Sequence, residues 1–426
     1  MISESIETDA AACAVDSPPG STLAEMVLGY EPVVDIKRRI KMMRVRAQAL
    51  PGRALPNYAS VYRDIEATLP EGTKPVLLSV ESSNFSSTVR KCSANPNLLI
   101  EVPVELVQDV HGHHMISVLR QARFRLVLRG EVPDSLPPTV RSAFVYNMVD
   151  ASADILHCVP FKPAPTNLLG SSQQRRIPQA ILGISKLAQM NSAFERGATS
   201  CVGWPFDDAI QWPRQSTVIP SFATISELIT RLNRGDDVAA LETVIRQDAA
   251  LAYRLLQLIN SAAYGLRIEV TSFRHCVMML GYEKLKRWLS LVLSTSSRDA
   301  TMQPIMFASF LRGAILEKLV SGSEQEQTRD ELFTLGVFSL IDHIFGKPLD
   351  QLLETLQFAP DIRSALLGQE GPYAPYLRLV RALEQGEPSD LIARLDEAFV
   401  SLRGCNECLL RTLGNPGFPS ESGAAL

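Results

Sequence analysis

Several things are scarce in this sequence. No uninterrupted apolar run reaches the roughly 18 residues that span a bilayer, so no transmembrane helix is expected. The N-terminal stretch MISESIETDAAACAVDSPPG has neither a basic region nor an apolar core. It does not read as a secretory leader, and a cytoplasmic chain is the expectation. Cysteine is sparse, seven in 426 residues, an ordinary reduced-thiol count and not a disulfide framework. Neither sign of charge dominates: the formal net charge is −4 and the pI is near 6.0. The whole chain therefore carries no nucleic-acid footprint. What is present is apolar side chain, 46% against 21% charged. That is the balance of a globular protein and excludes a largely disordered one. At roughly 100–200 residues per domain, the length favours two or three domains.

The texture changes along the chain. Residues 1–24 are mostly small, acidic or Pro/Gly and read as a disordered tail. VVDI, VLLSV (76–80), LLIEVPV (98–104) and FRLVL (124–128) are short apolar runs rich in β-formers. Helical stretches separate them at 56–70 and 103–122. Strands alternating with helices, apolar on both faces, predict a parallel sheet or barrel over 25–210. GWPFDDAIQWPRQSTVIPS (203–221) reads as a linker packed on a surface. From there to 413 the periodicity is helical throughout. In ATISELITRLNRG, Ile225, Leu228, Ile229 and Leu232 form one stripe, with Gly235 beyond the end. DAALAYRLLQLINSAAYG follows, capped by Asp248, with Leu251, Leu255, Leu258 and Ile259 inward. Residues 211–413 are thus expected to be an all-α domain, and 414–426 a flexible tail.

Three stretches of the helical half carry a resemblance: IRQDAALAYRLLQLINSAAYG (245–265), SFRHCVMMLGYEKLKRW (272–288) and GVFSLIDHIFG (336–346). Asp248, Leu255-Leu256, Asn260-Ser261 and Leu280-Gly281 follow in order and spacing the pattern of the HDOD family, a non-catalytic relative of the HD phosphohydrolases. The α/β half resembles an EAL domain, the barrel that hydrolyses cyclic di-guanylate. YEPVVDI (30–36) is similar to that family's YQPIVDL, and RVRAQAL (44–50) falls where GVEALLR stands. LIEVPVE (99–105) resembles LEITE, and FRLVLRG (124–130) the strand ending LDDFG. GISKLAQMNSAFERGATSCVGWPF (183–206) runs in register with GVET…LG…QGYLFSKP. The two halves together resemble bacterial EAL–HDOD signalling proteins. The resemblance implies a degenerate TIM-type barrel followed by an HDOD helical bundle. Residues 28–206 are few beside the roughly 250 of an ordinary eight-fold barrel, so trimmed helices or loops are anticipated, with an incomplete barrel as one outcome.

The resemblance also implies a damaged site. EAL chemistry uses divalent metals held by acids at the strand ends. The Glu of the EAL triplet falls on Arg46, and the Asn of the next strand on Glu81. The first Glu of LEITE is kept as Glu101, but the second falls on Val104. The Asp pair falls on Arg129 and Gly130, the Glu of GVET on Ser185, and the Gln of QGY on Val202. The Lys position falls near Met148, with Asp150 close by. A guanidinium about 5 Å from a dication repels it by roughly 6–7 kcal/mol at an effective dielectric near 20. No catalytic residue, cofactor or metal ligand is therefore expected, and cyclic di-GMP binding is not expected either, with a phosphate clasped by Arg46 and Arg129 as the alternative. The vestigial mouth comprises Arg46, Glu81, Glu101, Arg129 and Asp150, closed by ion pairs of the two arginines with Glu81 and Glu101.

Other features read blandly. The HD dyad would sit at Ser339-Leu340, and Asp342-His343 is reversed and out of register. The basic run Lys37, Arg38, Arg39, Lys41, Arg44, Arg46 suits a solvated hairpin, with an anion or nucleic-acid binder as the rival. His111, His113 and His114 read as surface histidines. Cys405 and Cys408 read as two small helix residues, with zinc shared across a dimer as a remote option.

The leading expectation is a non-enzymatic signalling adaptor, in regulation related to cyclic di-GMP. Its partner would be another signalling protein, with neither membrane insertion nor nucleic acid involved. Tyr264, Arg267 and Arg274 of the helical half are the candidate partner contacts. The alternative is an active or residual cyclic di-GMP phosphodiesterase.

Overall fold

The computed structural model describes residues 21–70, 74–80, 85, 87–133, 135–151, 177–211, 222–245, 255, 273–295, 302–320, 326–354 and 359–414. Two compact units divide the chain. One holds the described residues up to Ala209 together with those from Arg378 onward, and the other is Ile210–Leu377.

The first unit is built on a closed barrel with strand order β1 to β8. The strands are β1 (Met26–Asp35), β2 (Ile40–Ala49), β3 (Val76–Val80), β4 (Leu98–Pro103), β5 (Arg125–Arg129), β6 (Phe144–Asp150), β7 (Gln179–Leu182) and β8 (Ser200–Val202). Helices α1 (Tyr58–Thr68), α2 (Val110–Gln121), α3 (Pro138–Arg141) and α4 (Leu187–Glu195) lie between strands along the chain. β1 runs antiparallel to both β2 and β8, and every other pair is parallel. The barrel is closed, and the anticipated trimming falls on the connections: β1 turns straight into β2, and α3 is four residues long.

Apolar runs explain the strands. β3 and β4 are buried at every position, as strands covered on both faces must be. Val33, Met42, Leu77, Leu99, Val127, Met148, Ala180 and Val202 fill the interior. Val34, Ile181, Met190, Phe194 and Cys201 pack on the other face with α4. Each fully buried Val or Leu contributes about 1.5–3 kcal/mol. Asp35 holds the β1–β2 hairpin by accepting from the backbone and guanidinium of Arg39, both at 2.9 Å.

The expected tail ends earlier than residue 24. Ser21 Oγ accepts from Leu23 N at 3.3 Å, and Leu23 is fully buried in the turn Thr22–Ala24. Residues 1–20 and 415–426 lie outside the described residues. The helices from Arg378 onward differ from the expected domain plan, because they pack with the barrel. Asn406, on helix Leu402–Gly414, donates to the carbonyls of Leu23 and Met26, each at 2.8 Å.

The second unit is helical in its described residues. Phe222–Arg234, Val238–Ile245, Phe273–Leu280, Tyr282–Thr295, Gln303–Leu319 and Glu326–Phe338 are its longer elements. Ile225, Leu228, Ile229 and Leu232 are all buried, the stripe that the sequence pattern predicts. Gly235 and Gly281 follow helix ends with positive φ. Asp248 and Asn260-Ser261 lie outside the described residues. No helix among the described residues is long and apolar enough to cross a membrane.

Candidate functional site

The mouth of a parallel barrel lies at the C-terminal ends of its strands. On β2 the sequence Lys-Met-Met-Arg-Val-Arg sets Arg44 and Arg46 two residues apart, hence on one face. Arg44 is in register with Leu77 of β3, and Leu77 with Leu99 of β4. Strands in an eight-fold barrel are staggered by about one residue per neighbour. Crossing from β2 to β4 therefore moves the level from Leu99 to Glu101. Arg44, and not Arg46, is level with Glu101.

The contacts follow from that stagger. Arg44 Nε reaches Glu101 Oε2 at 2.6 Å, and Nη2 reaches Oε1 at 2.8 Å. Nη2 also donates to Ser79 Oγ at 2.8 Å, and Ser79 Oγ donates to Glu101 Oε1 at 3.0 Å. Arg44 Nη1 bonds Glu31 Oε1, so one guanidinium serves two carboxylates. Arg44 and Glu101 are both buried, 6% and 1% exposed. Burial works to lower the Arg44 pKa, but Glu101 and Glu31 together hold it above its ordinary value. Tyr58 Oη lies buried without a hydrogen-bond partner. Burial first, and then the Glu101 charge, push its pKa well above the usual value.

Two arginines lie further out. Arg129 Nε is 3.7 Å from Glu101 Oε1, with a half-exposed side chain. Arg46 Nε is 4.0 Å from Glu31 Oε1, and Nη2 donates to the Gln385 carbonyl at 3.0 Å. The expected mouth residues thus come together only in part. Glu101 meets Arg129, while Arg46 pairs with Glu31 instead of Glu101. Asp150 is exposed at the end of β6, and Glu81 lies outside the described residues. Sequence reasoning placed Arg44 only in the basic run and did not assign Arg44, Glu31, Ser79 or Gln385 to the mouth. Arg44 and Glu31 stand in the quoted motifs where the EAL pattern has Gly and Gln, and those two exchanges were the available signal.

The remaining candidates are placed as follows. Members of the basic run are tied down singly: Arg39 to Asp35 at 2.9 Å, Lys41 to Tyr146 Oη at 2.7 Å, and Arg38 to Asn191 and over the Phe194 ring. His113 Nε2 lies 3.0 Å from the Val107 carbonyl, and His111 and His114 line a cavity of about 180 Å³ with Arg90. Cys405 and Cys408 are both buried, and burial raises the Cys405 thiol. His343 Nδ1 rests on its own neighbour, Asp342 Oδ1, at 2.7 Å. Tyr264 and Arg267 lie outside the described residues, and Arg274 is on helix Phe273–Leu280.

A divalent ion does not fit the described residues of the mouth. The two carboxylates there, Glu31 and Glu101, already share Arg44. Among the described residues no group of three or more His, Cys, Asp or Glu could hold a metal.

The chain is 26% identical over 175 residues to a Vibrio cholerae protein named cyclic di-GMP phosphodiesterase CdgJ, covering 41% of this chain and 40% of that one. It is also 26% identical over 168 residues to the uncharacterized protein YuxH of Bacillus subtilis, covering 38% and 41%. The chain spans about two fifths of the length of these relatives. Klebsiella pneumoniae BlrP1, solved with calcium and cyclic di-GMP, matches at 14% identity and a TM-score of 0.31, over 45% of this chain and 57% of that one. The likeness to a protein named as a phosphodiesterase stands against the expectation that the chain is not an enzyme. Residues 219–345 match the family model described as the HDOD domain.

Proposed function

We propose that this chain works in cyclic di-GMP signalling, with the mouth of its EAL-like barrel as the place where the dinucleotide is met. The observation that carries the reading is the 175-residue likeness to the protein named cyclic di-GMP phosphodiesterase. The match to the HDOD model, which follows the closed barrel along the sequence, supports it. So does the chemistry of the mouth. Cyclic di-GMP presents two anionic phosphodiesters, and the planar guanidinium fork matches phosphate oxygens. Arg46 and Arg129 are partly exposed there, while Arg44 and Glu101 form a fixed floor beneath them. Turnover adds water across one P–O bond and opens the ring to the linear dinucleotide. Positioned guanidinium groups supply the charge neutralisation that such a step requires.

The test uses the full chain with cyclic di-GMP, with and without magnesium or manganese. Binding is read by calorimetry and product by chromatography. Saturable binding and a linear product, both weakened by Arg129→Gln, support the reading. Neither binding nor product under any of these conditions overturns it.

A further inference from the structure

Helices Ala374–Gln385 and Pro388–Glu397 are joined by a turn that reaches the barrel mouth. Arg46 Nη2 donates to the Gln385 carbonyl at 3.0 Å. Gly386 lies against the same guanidinium, where a Cβ would meet Nη2 at 2.3 Å. Its φ of 69° is itself a conformation that suits glycine. From below, a Cβ on Gly29 would meet Gly386 Cα at 3.0 Å. Gly29 is the register partner of Arg46 across β1 and β2. Tyr30 Oη donates to Glu384 Oε1 at 3.4 Å. Glu384, Gln385 and Gly386 therefore cover the sector of the mouth formed by β1 and β2.

Arg46 is incompletely satisfied in this arrangement. Its Nε is buried without a hydrogen-bond partner, and Glu31 Oε1 stands 4.0 Å away. The acceptor that Arg46 does have is a neutral carbonyl. A phosphate oxygen is charged, and charge-assisted hydrogen bonds are roughly twice as strong as neutral ones. A phosphodiester could also take Nε and Nη2 together as a fork. The Glu31 carboxylate faces the same region and limits how much negative charge it accepts. One bridging diester suits that limit better than a dianionic monoester.

We propose that the Gln385–Gly386 turn is a lid on the barrel mouth, held by Arg46, which a phosphodiester ligand displaces by taking over the guanidinium. The inference rests on the reading that the mouth receives such a ligand. Cyclic di-GMP is the ligand in question, and a plain diester shares the chemistry.

Hydrogen exchange of the full chain, followed by mass spectrometry over residues 383–388, tests the lid. Arg46→Gln removes the hold and should speed exchange of this segment about tenfold, the scale of one hydrogen bond to a charged group. Gly386→Ala, which forces the guanidinium aside, should act in the same direction. In both variants residues 98–103 stay protected, which separates lifting of the lid from unfolding. In the native chain, saturating cyclic di-GMP should produce the same local increase. If calorimetry on the same sample shows no cyclic di-GMP binding, the functional reading fails. The lid is then judged on the two variants and on high concentrations of dimethyl phosphate. Unchanged exchange at 383–388 in Arg46→Gln overturns the lid. So does a bound diester that leaves the turn protected.

Discussion

Arg44 on β2 and Glu101 on β4 meet through two hydrogen bonds, at 2.6 and 2.8 Å, across the intervening strand β3. Both side chains are buried, and Ser79 of β3 bonds each of them. Within the described interior this pair replaces apolar packing with charge. A buried ion pair gains little over an apolar pair of the same volume, but losing one partner is expensive.

Arg44→Met should therefore destabilise the first unit by about 3–5 kcal/mol, since Glu101 and Glu31 would be left buried without their cation. The double variant Arg44→Met/Glu101→Leu should recover most of that loss. Urea denaturation of the single and double variants checks both statements. A single variant within about 1 kcal/mol of the native chain would mean that water reaches Glu101 freely.

The outer arginines should behave differently. Arg46→Gln and Arg129→Gln remove cations that are partly exposed, so stability should change by no more than about 1 kcal/mol. Affinity for cyclic di-GMP should fall about tenfold with each, the scale of a lost hydrogen bond to a charged group. Calorimetry and thermal melts on the same preparations separate the two effects.

Alkaline pH should weaken the barrel. Burial pushes the Cys201 thiol from 9.0 up to about 12, with Arg38 acting weakly against it. Burial likewise pushes Tyr62 from 10.0 to about 12. Each group is held neutral in the folded chain and ionises first in the unfolded one. Their contribution to stability is whole below about pH 9 and is lost as pH rises toward 12. The melting temperature should fall across that window, less steeply in Cys201→Ala/Tyr62→Phe. Cys201 should also react slowly with thiol reagents at pH 8 in the native chain.

Asn406 should matter to a barrel that starts nearly four hundred residues earlier. Asn406→Leu strips a donor from the Leu23 and Met26 carbonyls and should cost about 1–3 kcal/mol. Exchange over residues 23–28 should rise with it. If only residues 402–414 respond, the helix is merely attached and does not brace β1.

Much of this architecture was legible in the sequence. The runs at 76–80, 98–104 and 124–128 became β3, β4 and β5, because strands buried on both faces are written as unbroken apolar segments. Ile225, Leu228, Ile229 and Leu232 showed their helix by period alone. β8, three residues long, is too short for any period to register. The site was harder to read. Motif matching pointed to Arg46, but the partner of Glu101 is fixed by barrel stagger, a closed-sheet property that a linear pattern does not carry. The packing of the last helices on β1 and β2 was likewise hidden. An amphipathic helix states that it buries a face, and not which neighbour covers it.

Titration of cyclic di-GMP into the full chain, compared with Arg46→Gln/Arg129→Gln, tests the account most directly. Saturable binding to the native chain, weakened about a hundredfold in the double variant if the two losses add, is the predicted result. Absence of binding at millimolar ligand, or equal affinity in the native chain and the double variant, would contradict it.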